Sequence, residues 1–221
     1  MSASTTPIDL HVPLRDLLEY LPVSTTKRYT KGQVIYSPND PPRGIYLVIS
    51  GKVGITQLAG TGQELLLDIL RPEEVFGESA FLNVSRSSEQ ATALEPVDLM
   101  SWAIGEVEEM VQGRSGLAMA LLQILAQRNV EFTRRIESFS TETIEKRLLR
   151  ALVRFSARLG TLQDDGSSTM MPFTHQMLSE YVGTSREIVS HHMGDLRRQG
   201  YLSYSRRGIV LYPDAMNARA N

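Results

Sequence analysis

Between Lys27 and about Met100 the hydrophobic residues fall in short runs: Val34-Ile35-Tyr36, Ile45-Tyr46-Leu47-Val48-Ile49, Val53-Gly54-Ile55 and Leu65-Leu66-Leu67-Asp68-Ile69. Turn-forming clusters separate them, namely Pro38-Asn39-Asp40-Pro41-Pro42, Ser50-Gly51-Lys52, Gly60-Thr61-Gly62 and Arg71-Pro72. Short strands at such regular spacing predict an antiparallel sandwich or roll. Gly32 and Gly51 stand where hairpins need a positive φ, which glycine adopts without steric cost.

Near Gly116 the period changes. Ala118, Leu122, Leu125, Asn129, Phe132, Ile136 and Phe139 step alternately by four and three, and Gln123, Gln127, Arg128, Glu131, Arg134, Arg135 and Glu137 fill the intervals. An amphipathic helix packed only on its own domain would show such a stripe. Its narrowness and 3.5-residue spacing favour a two-helix coiled coil, hence a homodimer, with Asn129 fixing register. Ser140 and Thr141 offer caps for a second helix from about Glu142 to Leu159, closed by Gly160, so a hinge is expected at Ser138 to Thr141. Gln163 to Ser168 reads as an exposed loop.

A short helix with Thr174 as cap and Gly183 as turn precedes a second helix, Arg186 to about Gln199, capped by Thr184-Ser185. Two short helices joined by a tight glycine turn predict a helix-turn-helix. Leu178, Val182, Val189, Met193 and Leu196 fall on the buried sides. Arg186, Glu187, Ser190 and His191 are left together on the outer face of the second helix, within its first two turns. From there side chains reach base edges in a major groove. Arginine forks onto guanine, glutamate accepts from cytosine, and serine or histidine supplements them. Beyond Gly200, two short apolar strands flank Arg206-Arg207-Gly208, a hairpin wing whose arginines suit phosphates. The bland alternative, a merely solvated helix face, does not account for the turn and wing around it.

Composition sharpens this. The 221 residues have 42% hydrophobic and 22% charged content, ordinary for a globular protein. No apolar run approaches the roughly 20 residues that span a bilayer, and Met1 to Leu10 lacks the pattern of a secretory signal, so no membrane partner and a cytoplasmic location are expected. The net charge of −2 hides an asymmetry: residues 1–139 carry 12 Lys and Arg against 17 Asp and Glu, residues 140–221 carry 11 against 8. An acidic front and basic rear suit a sensor joined to a nucleic-acid binder. With no cysteine, disulfides and cysteine-held iron–sulfur or zinc sites are excluded.

Several segments together make the sequence recognisable: Gly183-Thr184-Ser185-Arg186-Glu187-Ile188-Val189-Ser190-His191, Lys31-Gly32-Gln33-Val34-Ile35-Tyr36, Tyr46 with Gly51, and Phe76-Gly77-Glu78. From about Leu17 to Tyr212 the chain resembles the CRP/FNR family, that of the cAMP receptor protein and the fumarate–nitrate reduction regulator. The resemblance implies an α+β fold: an N-terminal antiparallel β-roll of the cyclic-nucleotide-binding type (1–112), a long dimerisation helix (113–139) and a C-terminal winged helix-turn-helix (140–221). It implies a homodimer on a pseudo-palindromic double-stranded DNA operator, and RNA polymerase as partner. Thr174, His175 and Gln176 would lie near phosphates and Arg186 and Glu187 on bases, with Ser185, Ser190, His191, Arg206 and Arg207 also among the DNA contacts.

Two departures bear on that expectation. Where the family commonly has arginine as its last base-reading residue, this chain has His191, which cannot fork onto guanine, so an altered operator is expected. The family's cyclic-nucleotide binders keep Gly-Glu and Arg-Ser in a phosphate cassette. Here Gly77-Glu78 survives and Ser79 follows, but the Arg-Ser positions fall on Ser87 and Ser88, with Arg86 one residue early and so turned to the other face. Phe132 and Thr133 would face the base, and Phe132 is large and apolar. These residues form the candidate effector pocket, cAMP is not the expected effector, and its identity is left open. Gly77-Glu78 is weighed as a structural turn glycine and a backbone-tying carboxylate. Haem is left only His11 or a non-histidine ligand, because His175, His191 and His192 fall in the DNA domain. A cupin-type enzyme would need a histidine cluster in the roll, and no histidine occurs between His11 and His175. No nucleophilic elbow is present, so no enzyme is expected. A ligand-sensing or protein-interaction module that does not bind DNA is the remaining alternative.

Overall fold

The computed structural model describes residues 20–60, 62–82 and 87–217. Arg86 and His11, singled out above, lie outside the described residues. Two four-stranded antiparallel sheets build the roll. One runs in the order β1 (Thr26–Tyr29), β8 (Val97–Ala103), β3 (Gly44–Ser50) and β6 (Val75–Phe76). The other runs β2 (Val34–Tyr36), β7 (Glu89–Ala93), β4 (Val53–Leu58) and β5 (Glu64–Leu70). Period-2 alternation sets the inner face: Val97 and Leu99 are buried, while Asp98 between them turns out to Ser50 and Arg28. Gly51 has φ +82°, and a Cβ there would meet the Pro96 carbonyl oxygen at 2.3 Å, so the β3–β4 hairpin requires glycine.

The run Leu65 to Ile69 is nearly all apolar for a reason a simple two-sheet roll would not supply. Leu67 and Leu70 pack in the roll core, whereas Leu66 and Ile69 belong to the core of the C-terminal unit. Strand β5 therefore serves two cores and fastens one to the other.

Helix α1 (Ile104–Gly113), which the hydrophobic pattern did not predict, follows β8, with the Ala103 N–H donating to Glu106 at 2.8 Å. Helix α2 (Ser115–Thr141) is the long one. Its first turns bury Leu117 and Ala120 against Ile45, Trp102 and Val107 of the roll side. It passes straight through the expected hinge, because the hydroxyls of Ser138 and Thr141 bond back to the carbonyls of Arg135 and Glu137, satisfying the turn instead of breaking it. The break comes at Glu142–Thr143, where Thr143 caps α3 (Ile144–Leu159).

Helix α4 (His175–Val182), Gly183 in the left-handed region at φ +73°, and α5 (Arg186–Arg198) form the helix-turn-helix. Strands β11 (Leu202–Ser205) and β12 (Gly208–Leu211) form the wing, and α6 (Pro213–Asn217) closes it. The segment read as a loop is the turn of a hairpin: β9 (Thr161–Leu162) pairs with β10 (Ser168–Met170), extending the wing sheet to the order β11-β12-β10-β9. Leu148, Leu152, Phe155, Leu178, Val189, Met193, Leu196 and Leu211 fill this second core. No helix among the described residues is long and apolar enough to cross a membrane.

Candidate functional site

The outer face of α5 is what the 3.6-residue period leaves over. Val189, Met193 and Leu196 are buried, and Arg186, Glu187, Ser190 and His191 are exposed side by side. Ser185 caps the helix, accepting from the Ile188 N–H at 3.3 Å. The Glu187 carboxyl is held below its ordinary value, first by its own backbone N–H and then by the Ser185 hydroxyl, so it remains a charged acceptor. Ile188, not anticipated from the pattern, adds an exposed apolar side chain to this face.

Ser190 is held from two sides: its hydroxyl donates to the Arg186 carbonyl at 2.8 Å and meets the His175 Nδ1 at 2.8 Å. His175, edge-on to the Tyr204 ring, has its pKa lowered by burial and then by the Arg186 charge, which favours the neutral ring. His191 lies 3.3 Å from Asp195, which also pairs with Arg198. Thr174 caps α4 by accepting from the Met177 N–H at 3.0 Å, and Gln176 donates to Glu180 at 2.8 Å. Arg206 and Arg207 are exposed at the β11–β12 tip. The start of α4, the outer face of α5 and the wing tip thus all carry exposed polar side chains.

On α2 the seam positions Leu122, Leu125, Phe132, Ile136 and Phe139 are exposed in the single chain, Leu122 at 57% and Ile136 at 65%. Met119 and Val130 flank them, also exposed. An apolar stripe of this length on one helix is the signature of a surface that another chain covers.

The candidate effector residues are only partly brought together. Gly77 has φ +91°, and a Cβ there would lie 2.5 Å from the Gly44 carbonyl oxygen, so it is needed for the turn. Glu78 is bonded to the Arg128 guanidinium, which also reaches the Val75 carbonyl. Burial alone would lower the Arg128 pKa, and the Glu78 charge overrides it. Glu89 accepts from the Tyr36 hydroxyl, with Ser79 at 3.5 Å. Burial, reinforced by Glu78, raises the Glu89 pKa against the Tyr36 bond. Glu78, Glu89, Arg128 and Phe132 line one cavity. Ser87 and Ser88 do not join them: Ser87 accepts from the Glu89 N–H and Ser88 from Gln57, both at 3.0 Å. Thr133 bonds its own helix at the Asn129 carbonyl.

The pattern also missed a half-buried ionic network between the roll and the C-terminal unit. Arg158 on α3 bonds Asp68 of β5 at 2.6 Å and Glu74 at 2.9 Å, and Arg71 donates to the Arg158 carbonyl. Arg154 pairs with Glu131 of α2 and lies 3.8 Å from Asp68. Arginine charges hold the Asp68 carboxyl below its usual value although burial opposes them. The one sequence signal was Asp68 itself, a lone carboxylate inside an apolar strand.

Comparison with known proteins agrees with this architecture. Residues 26–114 match the model of the cyclic nucleotide-binding domain, and residues 146–219 that of the Crp-like helix-turn-helix domain. The transcriptional regulator SdrP of Thermus thermophilus is 31% identical over 186 residues, 81% of this chain and 86% of its own. The cyclic AMP receptor protein of the same organism is 30% identical over 172 residues, covering 78% and 76%. The global nitrogen regulator of Synechocystis is 27% identical over 83% of each chain. Among solved structures, the c-di-GMP responsive global regulator CLP of Xanthomonas campestris superposes with a TM-score of 0.76 at 22% identity, covering 89% of this chain and 98% of that one. The solved structure of a CRP/FNR-family transcriptional regulator from Thermus thermophilus superposes with a TM-score of 0.68 at 29% identity, covering 89% of this chain and 98% of that one.

Proposed function

The chain belongs to the CRP/FNR family of transcription regulators and carries that family's DNA-binding helix-turn-helix, and we propose that two copies join along α2 to read a pseudo-palindromic operator under the control of the β-roll. The observation that carries this reading is the exposed set Arg186, Glu187, Ser190 and His191 on a helix whose other face is fully buried. Pairing along α2 presents the two α5 helices about one DNA turn, roughly 34 Å, apart. Arg186 and Glu187 read bases, Ser190 is positioned by His175, and His191 alters the base preference at the last position. Thr174, His175, Gln176 and Ser185 sit at helix starts near phosphates, and Arg206 and Arg207 reach phosphates from the wing.

In this reading residues 1–112 sense, 113–139 dimerise and 140–221 bind DNA, in the cytoplasm and in partnership with RNA polymerase, without enzymatic activity. A cyclic AMP receptor protein and a c-di-GMP responsive regulator are among the relatives. The residues here do not suit the cAMP phosphate: Glu78 is committed to Arg128, and Ser87 and Ser88 to local bonds. Gly77-Glu78 serves the fold.

Fluorescence anisotropy on operators selected from random oligonucleotides tests the reading. The wild type is expected to form a specific, salt-sensitive complex. Glu187→Ala should lose about 1–3 kcal/mol of discrimination per half-site while keeping its non-specific affinity. Absence of any specific complex, or an unchanged preference in Glu187→Ala, overturns it.

A further inference from the structure

A serine has one hydroxyl hydrogen and two lone pairs to distribute. Ser190 gives its hydrogen to the Arg186 carbonyl at 2.8 Å, because that oxygen can only accept. Its second contact, 2.8 Å to Nδ1 of His175, must then be filled by a hydrogen from the ring. Were Nδ1 bare, the single hydroxyl hydrogen would face two acceptors at bonding distance and satisfy one of them, leaving the other unmet. So Nδ1 donates, Ser190 accepts, and the neutral ring carries its hydrogen on Nδ1 with Nε2 bare. Charging the ring adds a hydrogen at Nε2 and leaves Nδ1 as it was, so the direction of this bond is the same in both states.

Three elements hold the arrangement. His175 opens α4, Arg186 and Ser190 belong to α5, and the Tyr204 ring of β11 stands edge-on to the imidazole at 5.5 Å. The Arg197 guanidinium lies 5.7 Å from the centre of the Tyr204 ring and ties the wing strand back to α5. His175 is half-buried among these neighbours, whereas Ser190 is exposed. With its hydrogen given to Arg186 and one lone pair taken by His175, Ser190 keeps a single lone pair for whatever meets the outer face of α5. In a major groove the donors on base edges are the amino groups of adenine and cytosine, while guanine O6 and thymine O4 are acceptors.

We propose that His175 fixes Ser190 as a hydrogen-bond acceptor only, so that Ser190 selects an amino base, adenine or cytosine, over a keto base, guanine or thymine. The proposal rests on the reading that α5 enters the major groove, and it gives one position of that face a stated preference. Serine by type can read either kind of base. Here, donating to a keto oxygen would take the hydrogen from the Arg186 carbonyl while the His175 N–H still pins Oγ beside it, leaving two oxygens 2.8 Å apart with no hydrogen between them. His175 does not itself touch the base in this scheme. It is a positioning residue that acts through Ser190.

The test has an arm without DNA and an arm with it, both on the full chain. Long-range proton–nitrogen correlation spectra of the nitrogen-15-labelled protein report which imidazole nitrogen carries the hydrogen, and His175→Asn identifies the His175 signals by their loss. Nδ1 protonated and Nε2 bare is expected for the neutral ring. Operators are then selected from random oligonucleotides, and Ser190→Ala marks the position that Ser190 reads as the one whose preference it abolishes. The wild type should favour adenine or cytosine there by roughly threefold to tenfold, the worth of one hydrogen bond. His175→Asn keeps an amide donor near the place of Nδ1 and should keep that preference. His175→Leu, folded by circular dichroism, should lose it while preferences at other positions stay, which a general loosening of the helix-turn-helix would not do. Where His175→Leu does not fold, the wild-type tautomer and the base at the marked position still decide. The proposal is overturned by a hydrogen on Nε2 of the neutral ring, by no position responding to Ser190→Ala, by an unchanged preference in His175→Leu, or by its loss in His175→Asn. A specific complex with guanine or thymine at the marked position would leave the regulator reading intact and remove this one, whereas absence of any specific complex would remove both.

Discussion

Ile136→Ala should weaken the dimer by a calculable amount. In the single chain Ile136 is 65% exposed, the largest value among the exposed apolar residues of the α2 seam. Burying a whole isoleucine is worth about 1.5–3 kcal/mol, so its exposed share amounts to roughly 1–2 kcal/mol per chain. Alanine keeps one carbon of that surface, leaving a loss of roughly 0.7–1.5 kcal/mol. A two-fold seam uses the residue twice, which doubles the loss to roughly 1.5–3 kcal/mol per dimer. At about 1.4 kcal/mol per decade, the dissociation constant should rise some 10- to 150-fold. Sedimentation equilibrium over a concentration series measures this, with Gln123→Ala, an exposed polar position on the same helix, as control. If Ile136→Ala dimerises within threefold of the control, the seam does not lie where the stripe puts it.

Asp68→Asn should be less stable than the wild type at neutral pH. Because arginines lower the Asp68 pKa in the folded chain, its stabilisation is complete above the unfolded value of about 3.9 and drains as pH falls through the folded one. The Tm difference between the two proteins should therefore shrink below about pH 4, and a difference independent of pH would count against the role of Asp68. Gly77→Ala places a Cβ 2.5 Å from the Gly44 carbonyl oxygen and 2.8 Å from the Tyr46 ring at a positive φ, and should cost about 1–3 kcal/mol, read as a Tm lower by several degrees. Replacing Arg206 and Arg207 by alanine should flatten the plot of log affinity against log salt by about 0.9 for each phosphate no longer neutralised, while base preference stays. An unchanged slope would place the wing off the DNA.

The helix-turn-helix was the most legible part of the chain, because its caps, its αL glycine and its buried stripe are local features. Thr174, Gly183 and Ser185 each stand where the sequence put them. The roll strands were legible for the same reason. The α2–α3 break was not, since Ser138 and Thr141 can either cap a helix or bond back into one, and residue type alone does not decide. The β9–β10 pairing needs a neighbour, β12, that is distant in sequence. The junction between the roll and the C-terminal unit was least legible of all. Arg135, Arg154 and Asp68 come from three segments; only Asp68, alone in an apolar run, stands out in sequence, and the two arginines look like ordinary surface charges until the two cores close around β5.

The exposed face of α5 has a consequence for how such a protein changes its target. Among the described residues, Glu187 and Ile188 bond to little beyond the first turn of their own helix, and His191 meets only its helix neighbours His192 and Asp195. Substituting them removes almost nothing that holds the fold together. Ser190 differs, being latched to the preceding helix through His175. In the proposed reading, operator preference is therefore easily rewritten at the flanking positions and conservative at the middle one. If Glu187 and His191 read bases as proposed, a lineage, or an engineer, can wander through new DNA sequences by altering them while the same scaffold stays folded.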